Sequence, residues 1–379
     1  MYSFKKLNKG KIMKRSFIRE ILESIDENTI SFAGGLPSEK LFPRDDLKTA
    51  TMKIFDNPKV FQYGISNGIA ELREKIASRY TKEGFATTKE NILITTGSQQ
   101  GMYILAKFYE SKDITIEEPS YLGAMNIFRL NHLTMKGVEL EQDGVNIEKF
   151  KESFKQTKLA YLIPDFQNPS ATTYCDDKRE EIAKIVKEEN GILIEDSPYS
   201  ELFFDKKNIS ISCKIPKNSF HLGSFSKTLV PSLRIGWIRA DEDLIKSLMI
   251  IKESIDLHSC GISQYILNEY LEDEANYEKH LQEIRDDYKQ KADFFCEQLD
   301  KYLPEFKYEK PKGGMFLYGK FEGVDTFALV QKCIEKKVVY VPGNQFYIDK
   351  VPNGEIRFNY THSTFEQIEI GIKLIKSCL

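Results

Sequence analysis

The stretch GSFSKTLVPSLRIGWI, residues 223–238, sets Lys227 among Ser224, Ser226 and Thr228 and places Arg234 just beyond. A solvated surface lysine needs no such company. Hydroxyls and a guanidinium together bind a doubly charged phosphate, so the turn reads as an amine held beside that anion. Three other stretches carry polar residues directly after apolar runs. Gly97, Ser98 and Gln99 follow ILIT and open a helical pattern, where free backbone N–H groups suit a phosphate. Asn168 lies in DFQNPSA after KLAYLIP, its backbone held extended by the following proline. Asp196 ends GILIED, with Tyr199 three residues on. A carboxylate at the end of a buried strand needs a cationic or hydrogen-bonding partner.

Each stretch alone has an ordinary reading: a plain N-cap, a turn asparagine, a capping aspartate before a core tyrosine, a surface lysine with an arginine paired elsewhere. Together they match one ligand with a phosphate, a ring nitrogen, a phenolic oxygen and an aldehyde, which is pyridoxal 5′-phosphate. Lys227 would supply the amine that condenses with the aldehyde. Asp196 would keep the ring nitrogen protonated. Tyr199 would donate to the phenolic oxygen. The Gly97 turn, Ser98, Gln99, Ser224, Ser226 and Arg234 would hold the phosphate.

Residues in these roles must be carried on ordered elements. NILITT, DITIEEP, KLAYLIP and GILIED read as strands, the first three each followed by a helical pattern, the clearest being DDKREEIAKIVKEEN with Ile182, Ile185 and Val186 at helical spacing. This alternation predicts a parallel sheet covered by helices, with ligands beyond the carboxyl ends of its strands. After Asp241 the pattern changes. A long charged helix from about Asn276 to Tyr302 is closed by Pro304, and GGMFLYGKF, DTFALVQKCIEKK, VVYVPG and EIRFNY then suggest a second α+β lobe.

The motif S-x-S-K-x-x-x-P-x-x-R-x-G, here Ser224, Ser226, Lys227, Pro231, Arg234 and Gly236, resembles the signature of the class I and II aminotransferases of PLP fold type I. FQYGISNGIAELREKIASRY, TTGSQQG, EPSY, QNPSA and EDSPY match in the expected order, and the likeness runs from about Ser16 to the end. The resemblance implies a mainly parallel seven-stranded sheet in a large α/β domain with a smaller α+β domain. It divides the chain into an arm, 1–43, a large domain, 44–273, and a small domain, 274–379. It implies that Tyr121 stacks on the cofactor ring and Asn168 meets its phenolic oxygen and the substrate. Tyr63 would reach the neighbouring subunit's phosphate, which requires a homodimer, and Arg357 would clamp the substrate α-carboxylate.

SFIREILE and ISFAGGLPSEKLFP are similar to the 2-aminoadipate and aromatic aminotransferase subgroup, kynurenine/aminoadipate transaminases included. There Gly35 would line the substrate site. Arg19 would meet a distal carboxylate, or else serve as a solvated helix residue. The implied reaction moves an amino group from an L-amino acid (2-aminoadipate, glutamate, aromatic or branched-chain) to a 2-oxo acid such as 2-oxoglutarate, by a ping-pong route. Rivals on the same fold are a PLP-dependent lyase and a MocR-type regulator. The regulator would carry a winged helix ahead of the matching region, and little sequence precedes it here.

Composition bounds these readings. The 379 residues suggest two lobes, and 41% hydrophobic with 29% charged residues fits packed cores. A net charge of −3 provides no field for nucleic acid or an anionic membrane. No apolar run approaches the roughly 18 residues of a membrane span, and the basic N-terminus lacks the apolar region of a signal peptide. Six scattered cysteines without a C-x-x-C pair fit reduced thiols in a cytoplasmic protein, and five histidines without H-x-x-x-H spacing predict no metal.

Overall fold

The computed structural model of the chain describes residues 26–110 and 112–379. Among them eight strands form the large sheet, in spatial order Ile92–Thr95, Gly236–Arg239, Ser219–Ser224, Ile192–Asp196, Leu159–Leu162, Asp113–Glu118, Thr134–Glu141 and Gly144–Val145. The five from Ser219–Ser224 to Thr134–Glu141 run parallel. Gly236–Arg239 is antiparallel to both neighbours. The strand beyond the expected seven is Gly144–Val145, which folds back on Thr134–Glu141. Two residues are too few to show an alternation, so the sequence carries no sign of it.

Ile92–Thr95, Leu159–Leu162 and Ser219–Ser224 are buried at every position. That is why they read as unbroken apolar or small-residue runs, since a strand covered on both faces needs no polar alternation. The covering helix Asp176–Glu188 buries Ile182, Ala183, Ile185 and Val186 along one face. Asp176 and Asp177 in its first turn suit the positive end of the helix dipole.

A second, wholly antiparallel sheet has the order Lys307–Tyr308, Phe316–Lys320, Glu355–Asn359, Val341–Pro342. VVYVPG, one apolar run in sequence, is divided between sheets. Val338–Val339 pairs in parallel with Ile30–Ser31, while Val341–Pro342 joins the small sheet. Phe32 O then accepts the Asn359 N–H at 2.8 Å, which lays the AGGLP segment along the strand that carries Arg357.

The helix Glu274–Tyr302 belongs to both cores. Its N-terminus is capped by Asp273, whose side chain accepts the Asn276 N–H. Tyr277 and Leu281 pack with Leu229, Ile235 and Leu267, whereas Ile284, Tyr288, Phe295 and Leu299 join the core of the small sheet. Tyr277 OH donates to Thr228 Oγ1 at 3.1 Å, one residue from Lys227. Further along, Tyr288 OH accepts the Ser38 N–H at 3.1 Å and Lys291 Nζ donates to Thr361 O at 2.8 Å.

Candidate active site

The carboxyl edge of the large sheet and the Arg357 strand of the small sheet meet at one buried polar cluster. Lys227 follows the strand Ser219–Ser224 through the turn after it, and its Nζ donates to Gly35 O at 2.8 Å. Burial, then the charges of Arg357 and Arg234, push the Lys227 ammonium down to about 8. Both guanidiniums are therefore near enough to act on the amine.

The anion cradle forms around Arg234. Gly97, with φ 74°, caps the helix Ser98–Phe108, and a side chain there would meet the Arg234 guanidinium at 2.5 Å. Gly236 is required for a different reason: a Cβ on it would lie 2.6 Å from the Ser98 nitrogen. The two glycines let the arginine and the helix N-terminus converge. Ser226 N–H donates to Ser224 Oγ at 3.1 Å, and the two hydroxyls lie 3.0 Å apart. Ser98 opens the helix. Gln99 beside it is exposed, and the side chain that organises this turn is Gln100. Its Oε1 accepts the Thr96 N–H at 2.8 Å and its Nε2 donates to Asp256 at 2.7 Å.

Asp196 ends its strand almost wholly buried. Its Oδ2 accepts from Tyr161 OH at 2.7 Å, while Oδ1 has no hydrogen-bond partner among the described residues. Burial pushes the carboxyl up to about 6, against the pull of the Tyr161 hydrogen bond. A buried acceptor left open in this way calls for an N–H donor supplied from outside the chain. A protonated ring nitrogen is such a donor, so Asp196 fits pyridoxal phosphate.

Arg357 is also buried, and burial lowers it to about 10. One terminal nitrogen donates to Asn168 Oδ1 at 2.7 Å and the other to Ala33 O, while Nε has no partner among the described residues. The guanidinium lies 4.4 Å from the Phe316 ring and 5.0 Å from Phe346. Asn168 Nδ2 donates to Tyr199 OH at 3.4 Å. Burial raises the Tyr199 phenol well above its ordinary value, so it stays a donor. Tyr121 precedes the helix Leu122–Leu130 and interacts electrostatically with Tyr199 and Arg357.

The fold thus brings together Lys227, Asp196, Tyr199, Asn168, Arg357, Arg234, Gly97, Ser224, Ser226, Tyr121 and Gly35. Tyr63 stands apart. It is 80% exposed, with its ring edge-on to His258 at 6.0 Å. Arg19 lies outside the described residues. Sequence reasoning missed Tyr161, Phe316 and Glu117. Glu117 is buried, and its carboxylate accepts from Gln167 Nε2 at 2.9 Å and Ile163 N–H at 3.1 Å, which anchors the loop carrying Asn168. Tyr161, the one side chain of LAYL able to hydrogen-bond, was the available signal; Glu117, one of several polar residues in DITIEE, carried none.

The profile of the family described as aminotransferase class I and II matches residues 15–375. Aromatic-amino-acid aminotransferase 1 of Thermococcus litoralis is 32% identical over 379 residues, covering 95% of this chain and 90% of that protein. The kynurenine aminotransferase of Pyrococcus horikoshii superposes with a TM-score of 0.91 at 31% identity, covering 100% of this chain and 96% of that one. The α-aminoadipate aminotransferase LysN of Thermus thermophilus, complexed with N-(5'-phosphopyridoxyl)-L-leucine, gives 0.89 at 30% identity, covering 97% and 95%.

Proposed function

Because the chain belongs to the class I and II aminotransferases, and is therefore a PLP-dependent transaminase, we propose a division of labour within its site and a substrate class. When bound, pyridoxal phosphate supplies the electron sink that lets a substrate Cα–H ionise. Asp196 Oδ1 holds a proton at the ring nitrogen. Tyr199 and Asn168 bind the phenolic oxygen, and Tyr121 covers the ring. Ser224, Ser226, Arg234 and the Gly97-Ser98-Gln99 turn hold the phosphate. Arg357 binds the α-carboxylate with the fork that now meets Asn168 and Ala33. Lys227 Nζ, with its lowered proton affinity, takes the proton from substrate Cα. The observation that carries this reading is the open, buried Oδ1 of Asp196 in the same cluster as Lys227 and Arg357.

The donor is proposed to be an L-amino acid of the dicarboxylic, aromatic or branched-chain type, and the acceptor a 2-oxo acid such as 2-oxoglutarate, in ping-pong order. The relatives' activities on aromatic amino acids, kynurenine and aminoadipate support that range. Arg19 is assigned to a distal carboxylate. Arg19→Ala is expected to lower kcat/KM for 2-aminoadipate and glutamate by roughly ten- to a hundred-fold and to leave leucine and phenylalanine unchanged. A donor panel checks this, run with an acceptor that lacks a distal carboxylate, because 2-oxoglutarate would use the same arginine. Equal losses for every donor would remove Arg19 from side-chain recognition. Turnover that needs no 2-oxo acid acceptor would overturn the substrate pairing itself.

We also assign a homodimer, with the chain divided at 43/44 and 273/274. Met52, Phe55, Phe61, Tyr63 and Ile65 are all exposed in one stretch, and Ile250, Ile255 and Leu257 add to the uncovered apolar surface. Tyr63 would then act in the partner's site. Mixing Tyr63→Ala subunits with Lys227→Ala subunits is expected to restore activity, since random exchange leaves roughly a quarter of the sites with both residues. Absence of recovery after verified exchange would place Tyr63 outside the shared site.

A further inference from the structure

Behind the strand ends that carry Asp196 and Ser224 lies a cavity of about 280 Å³. Lys227, Asp196, Tyr199, Asn168 and Arg357 are not among its lining residues; Ser224, assigned above to the phosphate, is the point where its wall meets that site. Its walls include Ile76, Phe85, Phe225, Trp237 and Tyr277. Its charged lining residues are largely spent on one another. Arg79 pairs with Glu201 at 3.2 Å, and Lys207 pairs with Glu201 at 2.7 Å and with Glu83. No cation is left over there for an anionic ligand.

Two polar atoms of the lining residues lack partners. Trp237 Nε1–H donates to Tyr80 OH at 2.8 Å, and Tyr80 OH lies 2.7 Å from His221 Nδ1. When Tyr80 directs its proton along that second bond, His221 carries its own proton on Nε2. That N–H makes no hydrogen bond among the described residues, although His221 is only 7% exposed and lines the cavity. Ser197 Oγ is likewise buried and unpartnered. Burial, with Arg239 and Lys207 nearby, lowers the imidazole to about 3, which keeps it neutral.

We propose that this cavity is a second small-molecule site, for a neutral, flat aromatic ligand whose carbonyl accepts from His221 Nε2–H. Aromatic walls suit a planar ring, a donor without a protein partner on a lining residue favours an acceptor, and the mutually paired rim disfavours a charge. The occupant would touch Ser197, Ser224 and Thr228, which flank Asp196 and Lys227 in the chain.

Benzamide is the probe, titrated into the PLP-loaded enzyme. Trp237 is the only tryptophan in the chain and lines the cavity, so its emission reports binding directly. A saturable change in that emission, with saturation transfer to benzamide in NMR, is expected, and both should persist when a substrate amino acid saturates the catalytic site. Benzoate should bind more weakly. His221→Phe should weaken benzamide by about tenfold or more, and Cys213→Phe, which places a ring at the cavity wall, should exclude it. If His221→Phe does not fold, Cys213→Phe decides alone. No saturable signal at millimolar benzamide, loss of the signal on adding substrate, or wild-type affinity in the folded variants would each overturn the site.

Discussion

Lys227→Ala is expected to lower transamination by at least about 10⁴-fold, because under the proposed division of labour the variant loses both the amine that engages the cofactor and the base that takes the substrate proton. The fold should survive. Lys227 donates one hydrogen bond, to Gly35 O, and its ammonium is held against the charges of Arg357 and Arg234. A second readout separates the functional role from a structural one. In the folded apoprotein the ammonium is pushed down to about 8 from 10.5. Between those values the unfolded chain keeps a proton that the folded chain has lost, so this group makes stability rise with pH. The alanine variant should lose that rise and melt no lower than wild type near neutral pH. Near wild-type turnover in a folded Lys227→Ala protein would remove the lysine from the chemistry.

Asp196→Asn is the second large effect. The amide keeps the shape and can still accept from Tyr161 OH, but it carries no charge to hold a proton on the ring nitrogen. Loss of such a buried, preorganised electrostatic contact is expected to cost roughly 10²–10³-fold or more in kcat. Phosphate contacts remain, so cofactor affinity should fall much less. In the apoprotein the sign is reversed. The Asp196 carboxyl is raised from 3.8 to about 6, so its contribution to stability is fully present below 3.8 and is lost as pH rises through about 6. Apo Asp196→Asn should therefore melt higher than apo wild type above pH 6 and alike at low pH. Activity within a few-fold of wild type would defeat the assignment, and a lower melting temperature at every pH would mean that Asp196 is structural.

The main parts of the proposed site can be read from the sequence because their spacing is local. Ser224, Ser226, Lys227, Arg234 and Gly236 act within one turn, and Gly236 is demanded by the approach of Ser98. Tyr161, Glu117 and Phe316 were not legible, since their roles depend on which strands lie side by side. Tyr161 reaches Asp196 because Leu159–Leu162 and Ile192–Asp196 pair in parallel. Phe316 reaches Arg357 because its strand pairs with Glu355–Asn359. Neither neighbour is adjacent in sequence. Gln99 and Gln100 differ for another reason: both stand in the first turn of one helix, and only the finished tertiary contact to Asp256 shows which one serves the turn.

The helix Glu274–Tyr302 also bears on how the enzyme can move. With 29 residues it is a rod roughly 44 Å long. Near one end it holds the turn of Lys227 through Thr228, and farther along it holds the backbone beside Gly35 and beyond Arg357 through Ser38 and Thr361. The residues proposed as base and carboxylate clamp are therefore mounted on a common beam. Any closure that brings Arg357 toward Lys227 must be a small flexure of that beam, or a slide of side chains along it, and cannot be a free swing about a loop.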